Sequence, residues 1–396
     1  MYRERVFLIS YFSYALLYLA RLNFSVVLPL ISLEFDLSKF SLGLIGSAYS
    51  FSYALGQFVH GQLVERYGPR KILLCGLLLS AVMNLLFGFV DSLVLFFVVW
   101  AVNGFAQAAG WPSVVKLVGS SFSSGYGRVG GFFGSCFLVG NMIAWPIVGY
   151  IVSVYDWRMG FIVPAVVLVM LVFVIHFYVK DSENDIVERR KFVWIENFRR
   201  LFSSRNIVVI ALAFVLLQFV RSVFTLWAPT YLFERFGLSL ELASYFAVTI
   251  PFGGIWGSIF SGWLLDRFKN FGRSAVLCLL VSLLSILTLV LYFSTYISLG
   301  FGIFLLFLIG FSLYGPHVVM SSVIPMEFDK KFGGASVAGF IDGLGYFGLM
   351  FADSFTGWLI EAYGWNGVIM FCFISSIFAV ILLASFYNGG NGTAFS

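Results

Sequence analysis

Long apolar segments follow one another along almost the whole chain, and they restrict it to a fold embedded in a membrane. A transmembrane helix needs about 20 consecutive, predominantly apolar residues. Twelve segments of the 396-residue sequence reach this length, near residues 5–31, 41–64, 71–90, 93–118, 127–153, 158–179, 206–233, 239–265, 273–294, 296–323, 333–360 and 365–388. Only 11% of the residues are charged, against about 25% in soluble domains. The pattern predicts an all-α membrane protein with twelve transmembrane helices.

Lysine and arginine are concentrated on one side of these predicted spans. If both termini and the central loop are cytoplasmic, that side holds 19 of the 24 basic residues, and the other side keeps Lys39, Arg158 and Arg235. Cytoplasmic loops carry the excess of positive charge in membrane proteins, so we expect both termini in the cytoplasm. Because the basic residues are scattered through loops, we expect no nucleic-acid partner.

Arg21 and Arg221 are the two basic residues that fall in the interior of predicted spans rather than near their ends. A charge at the bilayer centre costs at least about 2.5 kcal/mol on insertion scales. Since a guanidinium keeps its proton, it must face protein, water or an anion, and its planar fork suits phosphate or carboxylate. Tyr14, Tyr18 and Arg21 share one helix face. We interpret both arginines as anion ligands; the alternative is a structural arginine held by helix carbonyls or by a buried acid.

The two halves of the sequence repeat at an offset of 200 to 208 residues. Arg21, Pro29 and Glu34 are matched by Arg221, Pro229 and Glu234, "GQLVERYGPRK" by "GWLLDRFKNFGR", and "GYIVSVYDW" by "GWLIEAYGW". Repeated six-helix halves with a central substrate site are typical of secondary transporters. We predict two six-helix bundles related by pseudo-twofold symmetry, at 1–179 and 206–396, with a cytoplasmic linker at 180–205.

The loop after the second span, "GQLVERYGPRK", resembles a motif of the major facilitator superfamily, G-x-x-x-D-[RK]-x-G-x-[RK]-[RK]. Glu65 stands here in place of the usual aspartate. In that superfamily the loop is a cytoplasmic latch that pairs with neighbouring helix ends. The resemblance therefore implies a conformational latch made of Gly61, Glu65, Arg66, Gly68 and Arg70, with Asp266 and Arg267 at the repeated position.

A narrower resemblance is carried by "YLARLNFSVVLPL", "WAVNGFAQAAGWP", "RSVFTLWAPTYL", "SLYGP" and "GLGYFG". Together these fragments are similar to the organophosphate:phosphate antiporter family. The resemblance implies alternating access, an arginine clamp on the substrate phosphate, and a location in the cytoplasmic membrane of a prokaryote. The implied substrate-binding residues are Arg21, Arg221, Tyr14, Tyr18, Tyr314 and Tyr346, with Gln57 and Gln218 where the family has a lysine and a tyrosine. Val139 stands where the family has a histidine.

Asp342, Asp353 and His317 are ionisable residues inside predicted spans, and they leave the coupling mechanism open. They could carry a proton in a symporter of an organic anion such as a carboxylate, or they could form static pairs. A transporter-like sensor of sugar phosphate is the third interpretation. The sequence has no Walker loop or nucleophile elbow, so we expect no enzyme, no cofactor and no metal. The expected partners are a small anion and the lipid bilayer, and the chain is expected to act as a monomer.

Overall fold

Helix follows helix through the described part of the chain, as the apolar segments predict. The structure is a computed structural model, and it describes residues 2–121, 133–179, 201–267, 273–294, 298–324 and 334–388. The helices are α1 (Tyr2–Leu17), α2 (Leu19–Phe35), α3 (Lys39–Tyr67), α4 (Pro69–Phe87), α5 (Leu93–Gln107), α6 (Gly110–Ser121), α7 (Cys136–Val154), α8 (Met159–Tyr178), α9 (Arg205–Leu226), α10 (Ala228–Phe236), α11 (Leu240–Ala247), α12 (Thr249–Arg267), α13 (Arg273–Phe293), α14 (Leu299–Val318) and α15 (Gly334–Asn388). These ranges contain no strand. The all-α fold is confirmed.

Ten helical stretches of the described residues are long and apolar enough to cross a membrane. One of them, Phe340–Ser385, is 46 residues long and covers two predicted spans that meet at Gly364. Gly364 has a φ of +65°, a left-handed conformation that residues with a side chain rarely adopt, so the chain changes direction there. The 29-residue helix α3 is rich in Ser, Gly and Tyr and is not among the ten. The count of twelve spans stays a prediction.

The chain divides into two compact units. The first comprises Met1–Lys191 with Leu226–Val248, and the second comprises Phe192–Thr225 with Thr249–Ser396. Helices α10 and α11 therefore belong to the first unit although they follow the middle of the sequence. Most of the predicted linker lies outside the described residues. The division at 1–179, 180–205 and 206–396 stays a prediction.

Close packing of aromatic rings forms one core of the first unit. The ring of Trp100 on α5 lies 5.2 Å from those of Phe24 and Phe87, 5.6 Å from that of Tyr49 and 5.8 Å from that of Phe161. Lipid tails are as apolar as these rings, so van der Waals packing rather than exclusion from water stabilises such contacts in a membrane. This core holds α2, α3, α4, α5 and α8 together.

Glu34, at the end of α2, is held by two donors of the same unit. Its carboxylate accepts a hydrogen bond of 2.6 Å from Nε1 of Trp157 and one of 2.8 Å from Nη2 of Arg158. The same Nη2 lies 3.2 Å from Oδ1 of Asp91. The ends of α2, α4 and α8 are thus joined around one guanidinium.

The repeated position uses a different partner. The second repeat has Asn366 where the first has Arg158. Glu234 of α10 pairs instead with Nζ of Lys39 at the start of α3, at 2.8 Å. Nearby, α11 lies against α7, where a Cβ on Gly149 would be 2.6 Å from the Cβ of Ser244. Segment 226–248 is therefore fixed to the first unit by an ion pair and by small-residue packing.

Glycines bring α12 and α14 of the second unit into direct backbone contact. A Cβ on Gly257 would lie 1.9 Å from the carbonyl oxygen of Phe311, and one on Gly310 would lie 2.0 Å from that of Ile250. Small residues allow this approach between transmembrane helices. The contact fixes α14, which carries Tyr314 and His317.

Candidate functional site

Arg21 lies in the first turn of α2, directly after the break between α1 and α2. Its Nε donates a hydrogen bond of 2.9 Å to Oε1 of Gln107, and its Nη1 donates one of 3.1 Å to the hydroxyl of Tyr18. Gln107 is the last residue of α5 and is fully buried. Two neutral acceptors therefore hold two of the three nitrogens of this guanidinium.

Tyrosine rings surround the same guanidinium. The Cζ atom of Arg21 lies 4.5 Å from the ring centre of Tyr18, 4.7 Å from that of Tyr53 and 5.9 Å from that of Tyr49. The π face of an aromatic ring attracts a cation within about 6 Å. Tyr14 packs behind Tyr18, and the centres of their rings are 5.8 Å apart. The rings orient and stabilise the cation without cancelling its charge.

No acid among the described residues forms an ion pair with Arg21, whose hydrogen bonds go to Gln107 and Tyr18. Its Nη2 atom is buried and has no hydrogen-bond partner in the described part of the chain. Nearly all buried polar groups in proteins are hydrogen-bonded, and an uncompensated intramembrane charge is unfavourable. The arrangement can therefore accept an anion with oxygen atoms at Nη2.

Arg221 on α9 is built in a similar way in the second unit. Its Nη1 donates a hydrogen bond of 3.0 Å to Oε1 of Gln218 and lies 3.4 Å from Nε2 of His317. Each arginine thus bonds the side chain three residues earlier, Tyr18 or Gln218. Each also meets a residue of the fourth helix of its repeat, Gln107 of the α5–α6 stretch or His317 of α14. Arg221 as a whole is 8% exposed.

Asp342 and Asp353, both on α15, have different surroundings. Oδ1 of Asp353 accepts a hydrogen bond from Oγ of Ser222, next to Arg221 on α9. Asp353 is 5% exposed. Asp342 is half-buried and lies close enough to Arg221 for a Coulombic interaction. Asp353 therefore ties α15 to α9, whereas Asp342 belongs to the electrostatic surroundings of Arg221.

A glycine on α15 makes this arrangement possible. A Cβ on Gly345 would lie 2.6 Å from the ring of Phe214 and 3.1 Å from Cγ of Gln218. This close approach lays α15 on α9 beside Gln218. Asp342 lies three residues before Gly345 and the half-buried Tyr346 one residue after it, so both lie on the stretch of α15 that approaches α9.

Tyr314 is fully buried on α14. Its hydroxyl lies 3.4 Å from Oγ1 of Thr225, one turn after Arg221. Its ring lies 6.0 Å from that of His317. The π-helical turn Val319–Val323 follows at once, and such turns are frequent at functional sites. Tyr314 thus joins α14 to α9 beside Arg221.

Among the predicted latch residues, Arg70 joins the start of α4 to the end of α8. Its Nη2 donates to the carbonyl oxygen of His176 in the last turn of α8. A positive charge at this end of a helix interacts favourably with the helix dipole. Gly68 joins α3 to α4 with a φ of +93°. Gly61 lies in α3 and Arg267 is exposed at the end of α12. The side chains of Glu65, Arg66 and Asp266 lie outside the described residues.

Three neutral residues of the Arg21 surroundings were not among the predicted ligands: Gln107, Tyr49 and Tyr53. Tyr49 and Tyr53 precede the predicted ligand Gln57 on α3 at intervals of four residues. That spacing, which places all three on one helix face, is the signal that could have identified the two tyrosines. Gln57 itself is half-buried.

Metal ligation finds no support in the described residues, which contain no group of three His, Cys, Asp or Glu able to hold a metal ion. The four cysteines are free. These residues offer two guanidinium groups that can bind an anion. The imidazole of His317 lies beside Arg221, and the carboxyl groups of Asp342 and Asp353 lie on α15, which packs against α9.

Comparison with known proteins gives the chain a family. The Major Facilitator Superfamily profile matches residues 10–352. The glycerol-3-phosphate transporter of Bacillus subtilis is 29% identical over 98% of this chain and 93% of its own length. The membrane sensor protein UhpC of Salmonella typhimurium is 24% identical, with 98% and 92% covered. A bacterial homologue of the human lysosomal transporter Spinster shares the fold, with a TM-score of 0.78, 15% identity, and 98% of this chain and 96% of that chain covered. These relatives are membrane transporters and a sensor, not enzymes.

Proposed function

The chain belongs to the Major Facilitator Superfamily, and we propose that it is a secondary transporter that exchanges a phosphorylated organic anion for inorganic phosphate. Support for a phosphorylated substrate comes from a relative named a glycerol-3-phosphate transporter. Arg21 and Arg221 are the proposed phosphate ligands, one from each repeat. Tyr14, Tyr18, Tyr314, Tyr346, Gln57 and Gln218 are the proposed uncharged residues of the same site.

The surroundings of Arg21 are the observation that carries this proposal. The guanidinium has neutral acceptors at Nε and Nη1, 2.9 Å and 3.1 Å away, and its buried Nη2 has no partner among the described residues. A phosphate supplies both the missing negative charge and an acceptor oxygen, and arginine binds it with charge-assisted hydrogen bonds. Inorganic phosphate and a phosphate ester share this group, so both can occupy the same site in turn.

Exchange follows from the electrostatics of such a site. In the proposed mechanism the six-helix halves 1–179 and 206–396, joined by the linker 180–205, alternate between two orientations around the bound anion. Without an anion, closure would enclose two like charges in a medium of low dielectric constant, which is unfavourable. The loaded transporter therefore reorients faster than the empty one, and outward movement of one anion is coupled to inward movement of another.

Proteoliposomes test this proposal directly. Purified protein is reconstituted into vesicles loaded with inorganic phosphate, and uptake of radiolabelled glycerol 3-phosphate, hexose 6-phosphate or phosphoglycerate is measured. We expect uptake of at least one ester to require internal phosphate and to be absent from vesicles loaded with chloride. Equal uptake into both kinds of vesicle would exclude exchange.

A proton-coupled symporter of an organic anion is the second candidate function, and the position of His317 favours it. This imidazole lies 3.4 Å from Nη1 of Arg221, and Asp342 lies within the influence of the same guanidinium. Intramembrane His and Asp residues often form proton relays. An inward proton gradient would then drive accumulation of a carboxylate or phosphate ester into vesicles without any internal anion, a result that exchange does not predict.

A sensor is the third candidate, because a relative that matches 98% of this chain and 92% of its own length is named a membrane sensor protein. A sensor binds its ligand without carrying it across the membrane. Saturable binding of a sugar phosphate to the purified protein, with no flux in either vesicle experiment, would favour this function over both transport mechanisms.

A further inference from the structure

We infer that Gln107 is a positioning residue for Arg21: it occupies the Nε edge of the guanidinium with an uncharged acceptor, so that the anion binds at the Nη end of a cation that keeps its full charge. The inference rests on the proposed role of Arg21 in anion binding. It adds a residue, and an orientation of the ligand, that the two-arginine clamp does not specify.

All four hydrogen-bonding positions of the Gln107 amide are occupied in one orientation. Its Oε1 accepts from Nε of Arg21 and from the hydroxyl of Tyr49, both at 2.9 Å. Its Nε2 donates to the carbonyl oxygen of Ala20 at 2.7 Å and to Oγ of Ser80 at 3.2 Å. A flipped amide would direct its N–H groups at the N–H of Arg21, so the surrounding groups fix which end faces the cation.

Behind Gln107 lies a set of amides that fixes the backbone next to Arg21. Nδ2 of Asn84 and Nδ2 of Asn103 each lie 3.2 Å from the carbonyl oxygen of Ala20. Oγ of Ser80 donates to Oδ1 of Asn103 at 2.7 Å. These side chains are 0% exposed, and a buried amide without partners is strongly unfavourable in a membrane. The network therefore holds the residue that precedes Arg21 and, through Gln107, the guanidinium itself.

The neutrality of Gln107 is as important as its geometry. A carboxylate at the same place would accept the same hydrogen bond from Nε, but it would form an ion pair and cancel the charge that attracts the anion. The glutamine amide holds the guanidinium by hydrogen bonding alone. Because Nε is occupied and one hydrogen of Nη1 goes to Tyr18, the anion is left with Nη2 and the second hydrogen of Nη1. End-on binding by the two terminal nitrogens is the geometry that results.

Two substitutions of similar length separate positioning from packing. Gln107→Glu keeps the size and an acceptor oxygen for Nε of Arg21, adds a negative charge and removes the N–H donors, whereas Gln107→Met keeps the size and removes both the acceptor and the donors. The probe is inorganic phosphate, and its Kd is measured by equilibrium binding to the full-length protein in detergent. We expect Kd to rise about 100-fold for Gln107→Glu and about tenfold for Gln107→Met, corresponding to about 2.7 and 1.4 kcal/mol. Phosphate exchange should show the loss mainly in KM rather than in kcat.

A double-mutant cycle shows whether Gln107 acts through Arg21. In an Arg21→Lys background, Gln107→Met should raise Kd by less than about twofold, because the group that it positions is gone and the two effects are no longer additive. A purely structural glutamine would give the same factor in both backgrounds, and that result would overturn the inference. Gln107→Glu binding phosphate as tightly as the wild type would also overturn it.

The proposed function fails separately from this inference. If Arg21→Lys itself leaves phosphate binding unchanged, the anion site is wrong and Gln107 has nothing to position. If Arg21→Lys abolishes binding while both Gln107 variants bind normally, the clamp stands and only the role of Gln107 is wrong. Thermal unfolding of each variant without ligand identifies any loss of binding that comes from misfolding. If a variant has a lower melting temperature than the wild type, it is replaced in the comparison by Gln107→Asn, which keeps an amide.

Discussion

Nη1 of Arg221 lies 3.4 Å from Nε2 of His317, and this contact occupies the place that Arg21 and Gln107 have in the first repeat. Nη1 of arginine can only donate hydrogen bonds. It can therefore bond Nε2 of His317 when that nitrogen has a free lone pair, as it does in the neutral imidazole with its hydrogen on Nδ1. The two arginines thus differ in one respect: the neutral neighbour of Arg21 cannot titrate, whereas that of Arg221 can.

Replacing His317 by glutamine should remove a pH dependence of transport. A proton gained by the imidazole would place two positive charges side by side and disrupt the Arg221 hydrogen bonds, so we expect wild-type phosphate exchange to fall as the pH is lowered. His317→Gln supplies the amide acceptor that the first repeat already uses, and it should keep exchange at low pH. The measurement is the exchange rate as the pH is lowered from about 8 to below the range in which histidine ordinarily titrates, because the adjacent guanidinium opposes a second positive charge on the ring.

The matched control is His60→Gln, because His60 is also buried and lies against Phe105 rather than an arginine. His60→Gln should keep the wild-type pH profile. Because phosphate itself titrates equally in all three proteins, the comparison isolates the effect of the histidine. Identical pH profiles for wild type and His317→Gln would show that the contact with Arg221 has no bearing on the pH dependence.

The two acids of α15 should respond differently to neutralisation. Asp342→Asn removes a negative charge near Arg221, so we expect phosphate to bind about threefold to tenfold more tightly, as charge pairs at moderate effective dielectric constant suggest. Asp353→Asn leaves an oxygen that can still accept from Ser222, and it should change phosphate binding by less than about twofold. Equilibrium binding to both variants checks this, and tighter binding in Asp353→Asn but not in Asp342→Asn would contradict it.

The sequence was sufficient to predict the all-α fold and to single out the two arginines as charges inside apolar segments, because length, apolar composition and an isolated charge are local properties. Gln107 was not predicted, because an uncharged amide in an apolar segment does not carry the large insertion free energy that marks a charged residue. Its role can be recognised only when its neighbours in the fold are known. The pairing of Asp353 with Ser222 depends on how α15 lies on α9, which Gly345 decides through its contact with Phe214. The grouping of 226–248 with the first unit likewise depends on tertiary contacts such as Lys39–Glu234.

Cross-linking at positions 39 and 234 should block transport. Nζ of Lys39 and the carboxylate of Glu234 are 2.8 Å apart, and in the proposed mechanism they belong to different halves that must separate during each cycle. As a half-exposed ion pair it is worth about 0–1 kcal/mol, so removing its charges should have little effect on stability. In the Lys39→Cys/Glu234→Cys protein without its four native cysteines, a bis-methanethiosulfonate cross-linker that spans the two removed side chains should abolish exchange, and a reductant should restore it.

The control cross-link joins Glu34→Cys and Arg158→Cys, whose side chains are 2.8 Å apart in the wild type and lie in the same predicted half. The same cross-linker should leave exchange in this protein unchanged, because the half moves as one body. Full exchange in the cross-linked 39–234 protein, with the cross-link verified by mass spectrometry, would contradict alternating access of the two halves.

Gly257→Ala should prevent correct assembly of α12 and α14. The added Cβ would lie 1.9 Å from the carbonyl oxygen of Phe311, and backbone at both sides leaves no flexible group to yield. Overpacking of a tight core typically costs about 1–3 kcal/mol. Size-exclusion profiles and melting temperatures in detergent measure the loss. Gly300→Ala, on α14 with open space around its Cβ, should fold normally, and equal behaviour of the two variants would refute the close contact.

The most direct test of the central claim is phosphate self-exchange by Arg21→Lys and Arg221→Lys in proteoliposomes. Lysine keeps the charge but lacks the planar fork. We expect each variant to lose at least about 100-fold in kcat/KM, which corresponds to about 2.7 kcal/mol. Arg158→Lys, whose guanidinium pairs with Glu34 and Asp91, should exchange phosphate at the wild-type rate. Exchange at the wild-type rate by either Arg21→Lys or Arg221→Lys would contradict the arginine clamp.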